Sequence, residues 1–434
     1  MINEERENKY LSLLHQEIAM ALGCTEPAAA ALAGAYAADI LKETVETATI
    51  KVSQYILKNG MNVGIPGTEM SGLLIASALG IVSAQPEKEL MVLSKISKED
   101  KNIAYKMVEK KAIRIELADT NEKIYIEARV RSKKHTACAI IAGSHKNLCF
   151  LQRDDVVLYQ KNDSDIGNKR VEDDEEYTVT MKEIFEFTQN IQSEKLYFLK
   201  EILKINREIA LEGINGEYGL KVGKSILYGN ENRLIGLDVA NYAVAMTAAA
   251  ADARMAGCEM PVFSAAGSGN QGLTATVPVV AVGEKLHIAE ENILKATALS
   301  ILVTIHTKHY LGRLSVLCGC SISAAIGVVC GVVRMLGGSY EKMCKAISTM
   351  VADISGVVCD GAKAGCALKV ATAVDSAMRA ANMAMCGIGA DSKDGIVCQD
   401  VEKTLKNLGT LGDCGMRAAN PVILEMMLQK QKEQ

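Results

Sequence analysis

Four cysteines stand in two short runs: Cys318 and Cys320 in CGCSISAAIG, and Cys359 and Cys366 around the Asp360-Gly361 break of SGVVCDGAKAGC. Seven residues of unbroken helix would hold the second pair about 10 Å apart, too far for one compact centre. Gly361 relieves this, because glycine breaks a helix and lets the chain fold back. Thiolates converging from two segments suit zinc or an iron–sulfur cluster. A closed zinc site usually takes four ligands, often in CxxC pairs, and the chain has no such pair. Three cysteines without that spacing fit a cluster with one iron left open. Thiols that merely pack in the core are the other reading of the same spacing. On a helix Cys318 and Cys320 would face opposite sides, so only one of them could point at a shared centre.

Three further stretches carry chemistry. In GCTEP, residues 23–27, Pro27 suits the first position of a helix, with Thr25 or Glu26 capping it. Cys24 then lies just ahead of a helix N-terminus, where the dipole is expected to lower its pKa and make it a nucleophile or a base. SAAGSGNQG, residues 264–272, can aim the backbone N–H groups of Ser268, Gly269, Asn270 and Gln271 at an anion if it opens a helix. It has neither the lysine of a Walker loop nor the dinucleotide spacing, so a carboxylate fits better than a nucleotide; a glycine turn without ligand is the bland alternative. KNGMNVGIPGT, residues 58–68, offers Asn59, Asn62 and Thr68 in a tight loop suited to a small polar ligand. His135 and His145 lie in strand-like sequence, where a lone histidine is more often structural. His306, Lys308 and His309 would form a polar rim near the cysteines.

These residues need a scaffold that brings distant segments together. The 434 residues are 49% hydrophobic and 23% charged, with no Trp and five Phe. Abundant small side chains predict closely packed helices. Residues 8–42 read as helix with a break at Gly23. Alternating stretches between 45 and 160 read as strands of an antiparallel sheet, with helices at SGLLIASALGIV and ISKEDKNIAYKMVEKK. The acidic run 161–177 reads as a linker, and residues from 180 onward as helices. The expected architecture is α+β: a large all-α body made of 1–44 and 176–434, with a smaller α+β domain, 45–175, inserted in it. A net charge of −4 gives no reason to expect a nucleic-acid partner. Leu314–Val333 is uncharged over twenty residues but rich in small and polar residues, so a buried helix is expected rather than a membrane span. The charged N-terminus, MINEERENKY, is neither a secretory signal nor a transit peptide. With an odd count of thirteen cysteines, it points to reduced thiols in a cytoplasmic protein. Ala-rich helices often pair, which makes a homodimer an expectation.

Taken in order, GCTEPAAAALA, KNGMNVGIPGT, AGSGNQGLTATVPV, CGCSISAAIG and SGVVCDGAKAGCALKV resemble the L-cysteine desulfidase family, which is related to the iron–sulfur L-serine dehydratases. The resemblance runs from about Cys24 to about Met385. It implies a 4Fe–4S cluster held by Cys320, Cys359 and Cys366, with Cys318 as the alternative first ligand. It implies Cys24 as the catalytic base, and residues 267–272 as the loop that holds the substrate carboxylate. The last two ligands lie closer together than in the serine dehydratases, and the proline before the second is missing, which favours the desulfidase branch. The implied reaction is β-elimination of L-cysteine to hydrogen sulfide, pyruvate and ammonia. L-serine or another β-substituted amino acid is the alternative substrate. A non-catalytic iron–sulfur sensor and a membrane transporter are alternatives of other classes.

Overall fold

The structure is a computed structural model that describes residues 4–161, 177–229, 234–312 and 314–433. The chain opens with α1 (Glu4–Glu17), β1 (Ile18–Ala21) and α2 (Thr25–Leu41). There follow β2 (Thr47–Val52), α3 (Gln54–Gly60), α4 (Leu73–Ser83), α5 (Lys98–Glu109), β3 (Ile113–Leu117), β4 (Tyr125–Arg131), β5 (Thr136–Ala142), β6 (Leu148–Arg153) and β7 (Val156–Gln160). The rest is helical apart from β8 (Val262–Ala265): α6 (Met181–Asn190), α7 (Leu199–Asn215), α8 (Val222–Tyr228), α9 (Val239–Met255), α10 (Gly269–Lys285), α11 (Glu290–Leu311), α12 (Ser323–Met335), α13 (Tyr340–Ile354), α14 (Cys366–Met385), α15 (Val401–Thr410) and α16 (Ala419–Glu433). The fold is α+β with a large helical body. Most of the expected acidic linker, 162–176, lies outside the described residues. None of the described helices is long and apolar enough to cross a membrane.

Strands β2 to β7 form one six-stranded sheet in the order β3-β2-β4-β5-β6-β7. It is mixed, not purely antiparallel as expected, because β2 and β3 run parallel. Helices α3, α4 and α5 lie between those two strands in the chain and carry it back to the same end of the sheet. The alternation is of period two: Ala48, Ile50 and Val52 of β2, Ile126, Ala128 and Val130 of β4, and Ala137, Ala139 and Ile141 of β5 all enter one core. Helices α2 and α4 complete that core. The second core is that of the helical body, and α1 joins it through Tyr10 and Leu14. Helix α1 thus packs in the core of the helical body and α2 in that of the sheet.

Two local features differ from the sequence expectation and matter for the site. Cys24 itself is the N-cap of α2, with extended backbone (φ −84°, ψ 143°). Pro27 therefore sits in the first turn, where its missing N–H is no loss. The apolar run IAMA, read as helix, is instead the strand β1, paired antiparallel with β8 from Ile18↔Ala265 to Ala21↔Val262. This ribbon sets the residues before α2 beside those before α10.

Alanine and glycine allow helices to approach backbone to backbone. A Cβ at Gly80 on α4 would stand 2.0 Å from the Ala31 carbonyl oxygen on α2. Replacing Gly80 by Ala must therefore push two main chains apart, at a cost of about 1–3 kcal/mol. Gly236, with nothing within 4 Å of its Cβ position, is the control. Denaturant unfolding should show G80A destabilised by that amount and G236A close to wild type.

Candidate active site

Four chain segments meet around Cys24. The first is its own turn, where Gly23 has φ +71°. The second is the loop into α10, where Ala266 and Gly267 have φ of 47° and 80°. Thr25 Oγ1 stands 3.4 Å from the Gly267 carbonyl and 3.1 Å from Glu26 Oε2 and shares its one proton between them, joining the two. Arg254, at the end of α9, joins them again: Nη2 donates to the Gly23 carbonyl (2.8 Å) and Nη1 to Asn270 Oδ1 (2.9 Å). Ser268 is the N-cap of α10 but makes no side-chain cap bond. The first-turn N–H groups at Gly269, Asn270 and Gln271 have no intrahelical acceptors, which makes this helix end suited to an anion. Gly269 has to be a glycine, since a Cβ there would lie 2.4 Å from Arg254 Nε.

The third segment is the end of α3. Asn59 Nδ2 donates to Glu26 Oε1 (3.0 Å), and Lys58 Nζ donates to the Cys359 carbonyl (2.8 Å). The fourth is the pair of cysteine runs, which lie side by side. Leu317 and Val358 form an antiparallel bridge. Cys318 N–H donates to the Val357 carbonyl (2.9 Å), and Cys359 N–H to that of Val316 (2.7 Å). The chain turns back at Gly361 with φ +93°, as the sequence requires, and Cys366 then opens α14. A Cβ at Gly361 would meet the Lys58 carbonyl oxygen at 2.4 Å.

Cys318 and Cys320 precede α12 and are not helical, so they do not face opposite sides. Their sulfurs are 3.4 Å apart. The hydrogen bond from Cys320 pushes the Cys318 thiol down to about 6, helped by Ser321 and by Lys369, while Cys320 is pushed up. Cys359 and Cys366 are within electrostatic reach of this pair. Burial raises both, Cys366 to about 12. Among the described residues no three His, Cys, Asp or Glu side chains close on a point that a single metal ion would occupy. A polynuclear cluster takes its thiolates at different irons, so its ligand sulfurs stand farther apart; one thiol of the close Cys318–Cys320 pair, with Cys359 and Cys366, is the donor set that such a cluster would take.

Cys24 departs from expectation in one respect. Burial drives its thiol up to about 12, and Glu26 adds to this, while the Arg254 guanidinium pulls the other way without winning. Glu26 is itself held below the usual carboxylate range: burial works to raise it, but His145, a backbone N–H and Asn59 prevail. Lys308 is buried and pushed down to about 8 by desolvation, with the thiols of Cys359 and Cys318 opposing.

The predicted site residues do not all assemble. Cys24, Asn59, Ser268, Gly269, Asn270 and Gln271 do, beside Cys318, Cys320, Cys359 and Cys366. Thr68 stands apart. Its hydroxyl donates within its own loop to Ile65 (2.9 Å) and Met70 (3.1 Å), and it lines a separate surface cleft with Glu69 and Glu259. His135 pairs with Asp154 (2.7 Å) on the sheet. His306 is buried against Glu402 (2.8 Å). Of the expected rim, Lys308 has the thiols in its field. Arg254 was not singled out from sequence, because an arginine in the last turn of a helix reads as ordinary dipole complementarity.

The sequence family that matches this chain is one of iron–sulfur, dehydratase-like lyases. The chain belongs to the serine dehydratase alpha-chain family, whose model matches residues 87–425. It is 42% identical to a UPF0597 protein of Oleidesulfovibrio alaskensis, over 98% of each chain. It is 39% identical to one of Clostridium perfringens, again over 98% of each, and 42% identical to one of Clostridioides difficile, over 96% of this chain and 98% of that one.

In the metal-free chain, one thiolate should persist at neutral pH. Because the Cys318 value is lowered, this thiolate is present above about 6 and is lost as the pH falls through that value. Ultraviolet thiolate absorbance should show the step in the wild type and not in C318A.

Proposed function

We propose that this chain is an iron–sulfur-dependent lyase that converts L-cysteine and water to hydrogen sulfide, pyruvate and ammonia. The observation that carries the reading is the shared frame: Thr25 and Arg254 bond the Cys24 turn to the open end of α10. Lys58 and Asn59 of α3 tie the same turn to the cysteine runs. Cys320, Cys359 and Cys366 would hold a 4Fe–4S cluster, with Cys318 beside them. When bound, such a cluster supplies an open iron that acts as a Lewis acid on the substrate's β-substituent.

The remaining chemistry belongs to the chain. The first-turn N–H groups of α10 fix the substrate carboxylate and stabilise charge that builds up next to it. Cys24, as thiolate, takes the α-proton. The electrons of the broken C–H bond form the Cα–Cβ double bond, and sulfide leaves with the C–S pair. The aminoacrylate so formed is hydrolysed to pyruvate and ammonia. Burial excludes bulk water from these steps, since Cys24 is 6% and Gln271 2% exposed. L-serine dehydration by the same route is the second reading, favoured by the name of the matching family.

Two outcomes test the proposal. Oxygen-free purification should yield iron matching one 4Fe–4S cluster per chain, with sulfide and pyruvate released from L-cysteine faster than pyruvate from L-serine. C24A should keep the cluster spectrum and lose turnover. Iron-loaded protein that releases nothing from L-cysteine removes the desulfidase reading. The second outcome concerns pH. The thiolate is the active form and the thiol titrates at about 12, so kcat/KM should climb about tenfold per pH unit through the neutral range. A β-substituted substrate without a thiol of its own keeps that slope free of substrate ionisation. A flat profile would exclude Cys24 as the base.

A further inference from the structure

We propose that Arg254 and Glu26 form a charge clamp for a free α-amino acid. Arg254, with the first turn of α10, takes the carboxylate, and Glu26 takes the ammonium, the two flanking Cys24. This rests on the lyase reading for the location of the site and adds the ionic form of the substrate.

Arg254 is 3% exposed; its guanidinium donates to two neutral acceptors, Gly23 and Asn270, and also faces the Cys24 thiol. Its Nε has no hydrogen-bond partner. Among the described residues no carboxylate closes on it as an ion pair. Glu26 lies within electrostatic reach of Arg254 without closing an ion pair, and the planar fork of the guanidinium suits a carboxylate. The same guanidinium lies against Gly269, the first residue of a seventeen-residue helix whose N-cap side chain makes no bond. Two independent features, an open helix end and a buried guanidinium whose Nε has no hydrogen-bond partner, therefore select an anion at one place.

Glu26 supplies the opposite charge. It is 7% exposed; Asn59 (3.0 Å) and Thr25 (3.1 Å) each reach one oxygen, a backbone N–H adds to these, and His145 lies in its field. Each oxygen keeps acceptor capacity. Asp360, another carboxylate beside the thiols, is held by Lys363 and Lys369. The three lysines that face the thiols, Lys58, Lys308 and Lys369, would repel an ammonium, which leaves Glu26 as its acceptor. The pairing selects against simple acids, amines and N-acylated or peptide substrates.

The test uses L-alanine, which has no leaving group, in anaerobic calorimetry with the iron-loaded chain. L-alanine should bind, and propionate, alaninamide and N-acetyl-L-alanine should each bind at least about tenfold more weakly. E26Q should weaken L-alanine by about tenfold while leaving propionate unchanged. R254K, which keeps the charge and loses the fork, should weaken L-alanine and leave alaninamide unchanged. Failure of L-alanine to bind, or equal binding of the analogues, overturns the clamp; so does E26Q that keeps the wild-type preference. If either variant misfolds, the ligand series on the wild type decides alone. Discrimination among ligands without turnover of L-cysteine or L-serine would keep the clamp and remove the lyase reading. Turnover with an unchanged KM in folded E26Q and R254K would do the reverse.

Discussion

The centre of the molecule depends on one buried guanidinium. Arg254 reaches from the end of α9 to the Gly23 carbonyl ahead of α2 and to Asn270 in the first turn of α10. Helix α2 belongs to the core of the sheet and α10 to that of the helical body, so these two bonds lie where the cores meet. The β1–β8 ribbon already brings both segments alongside; the guanidinium sets the last few ångströms. Its burial excludes water from the bonds, which strengthens them and makes an unmatched charge expensive. The same side chain thus acts as a tie between lobes and as a charge that a ligand can answer.

The thiol pocket shows the same economy of charge. Lys58, Lys308 and Lys369 surround the cysteine runs. Desolvation lowers Lys58 and Lys308, and the nearby thiols oppose it. For Lys369 the Asp360 carboxylate outweighs desolvation and raises the ammonium instead. Thiolates and ammoniums in a low-dielectric interior stabilise one another far more than in water. Close contacts leave no slack: a Cβ on Gly319 would stand 2.4 Å from Gln271 Oε1 and 3.0 Å from Lys308 Nζ. The glycine between Cys318 and Cys320 therefore lets the first turn of α10 and a buried lysine approach the thiols together.

Much of this was legible from residue types, and what was not has a physical cause. The fold-back at Gly361 followed from its need for a turn between Cys359 and Cys366. The sheet strands followed from period-two alternation, as in EKIYIEARVRS. IAMA was not legible as a strand, because four apolar residues after a helix look the same in either state, and only pairing with β8, more than two hundred residues on, decides. The parallel β2–β3 pair was hidden for the same reason: direction is set by the helices between. Cys318 and Cys320 misled because CGCSISAAIG runs without a proline into α12, yet the bridge from Leu317 to Val358 holds its start extended. Thr68 matched a motif, and its hydroxyl is consumed by its own turn.

The acidity of Cys24 shows where a local rule loses to a global one. A helix N-terminus offers a thiolate about 0.3–1 kcal/mol. The rise from 9.0 to about 12 corresponds to about 4 kcal/mol at roughly 1.4 per unit. Burial therefore outweighs the dipole several-fold, and no sequence pattern around GCTEP reports how deeply α2 will be covered. The consequence for the proposed chemistry is not simply a weaker base. A thiolate of high pKa is scarce, but each one is strongly basic, which suits a weakly acidic α-proton. The resting thiol is also less open to oxidation than a thiolate would be. Arg254 lowers the Cys24 value and Glu26 raises it. A zwitterion neutralising both would remove the two opposing influences together, leaving burial to set the thiol's proton affinity.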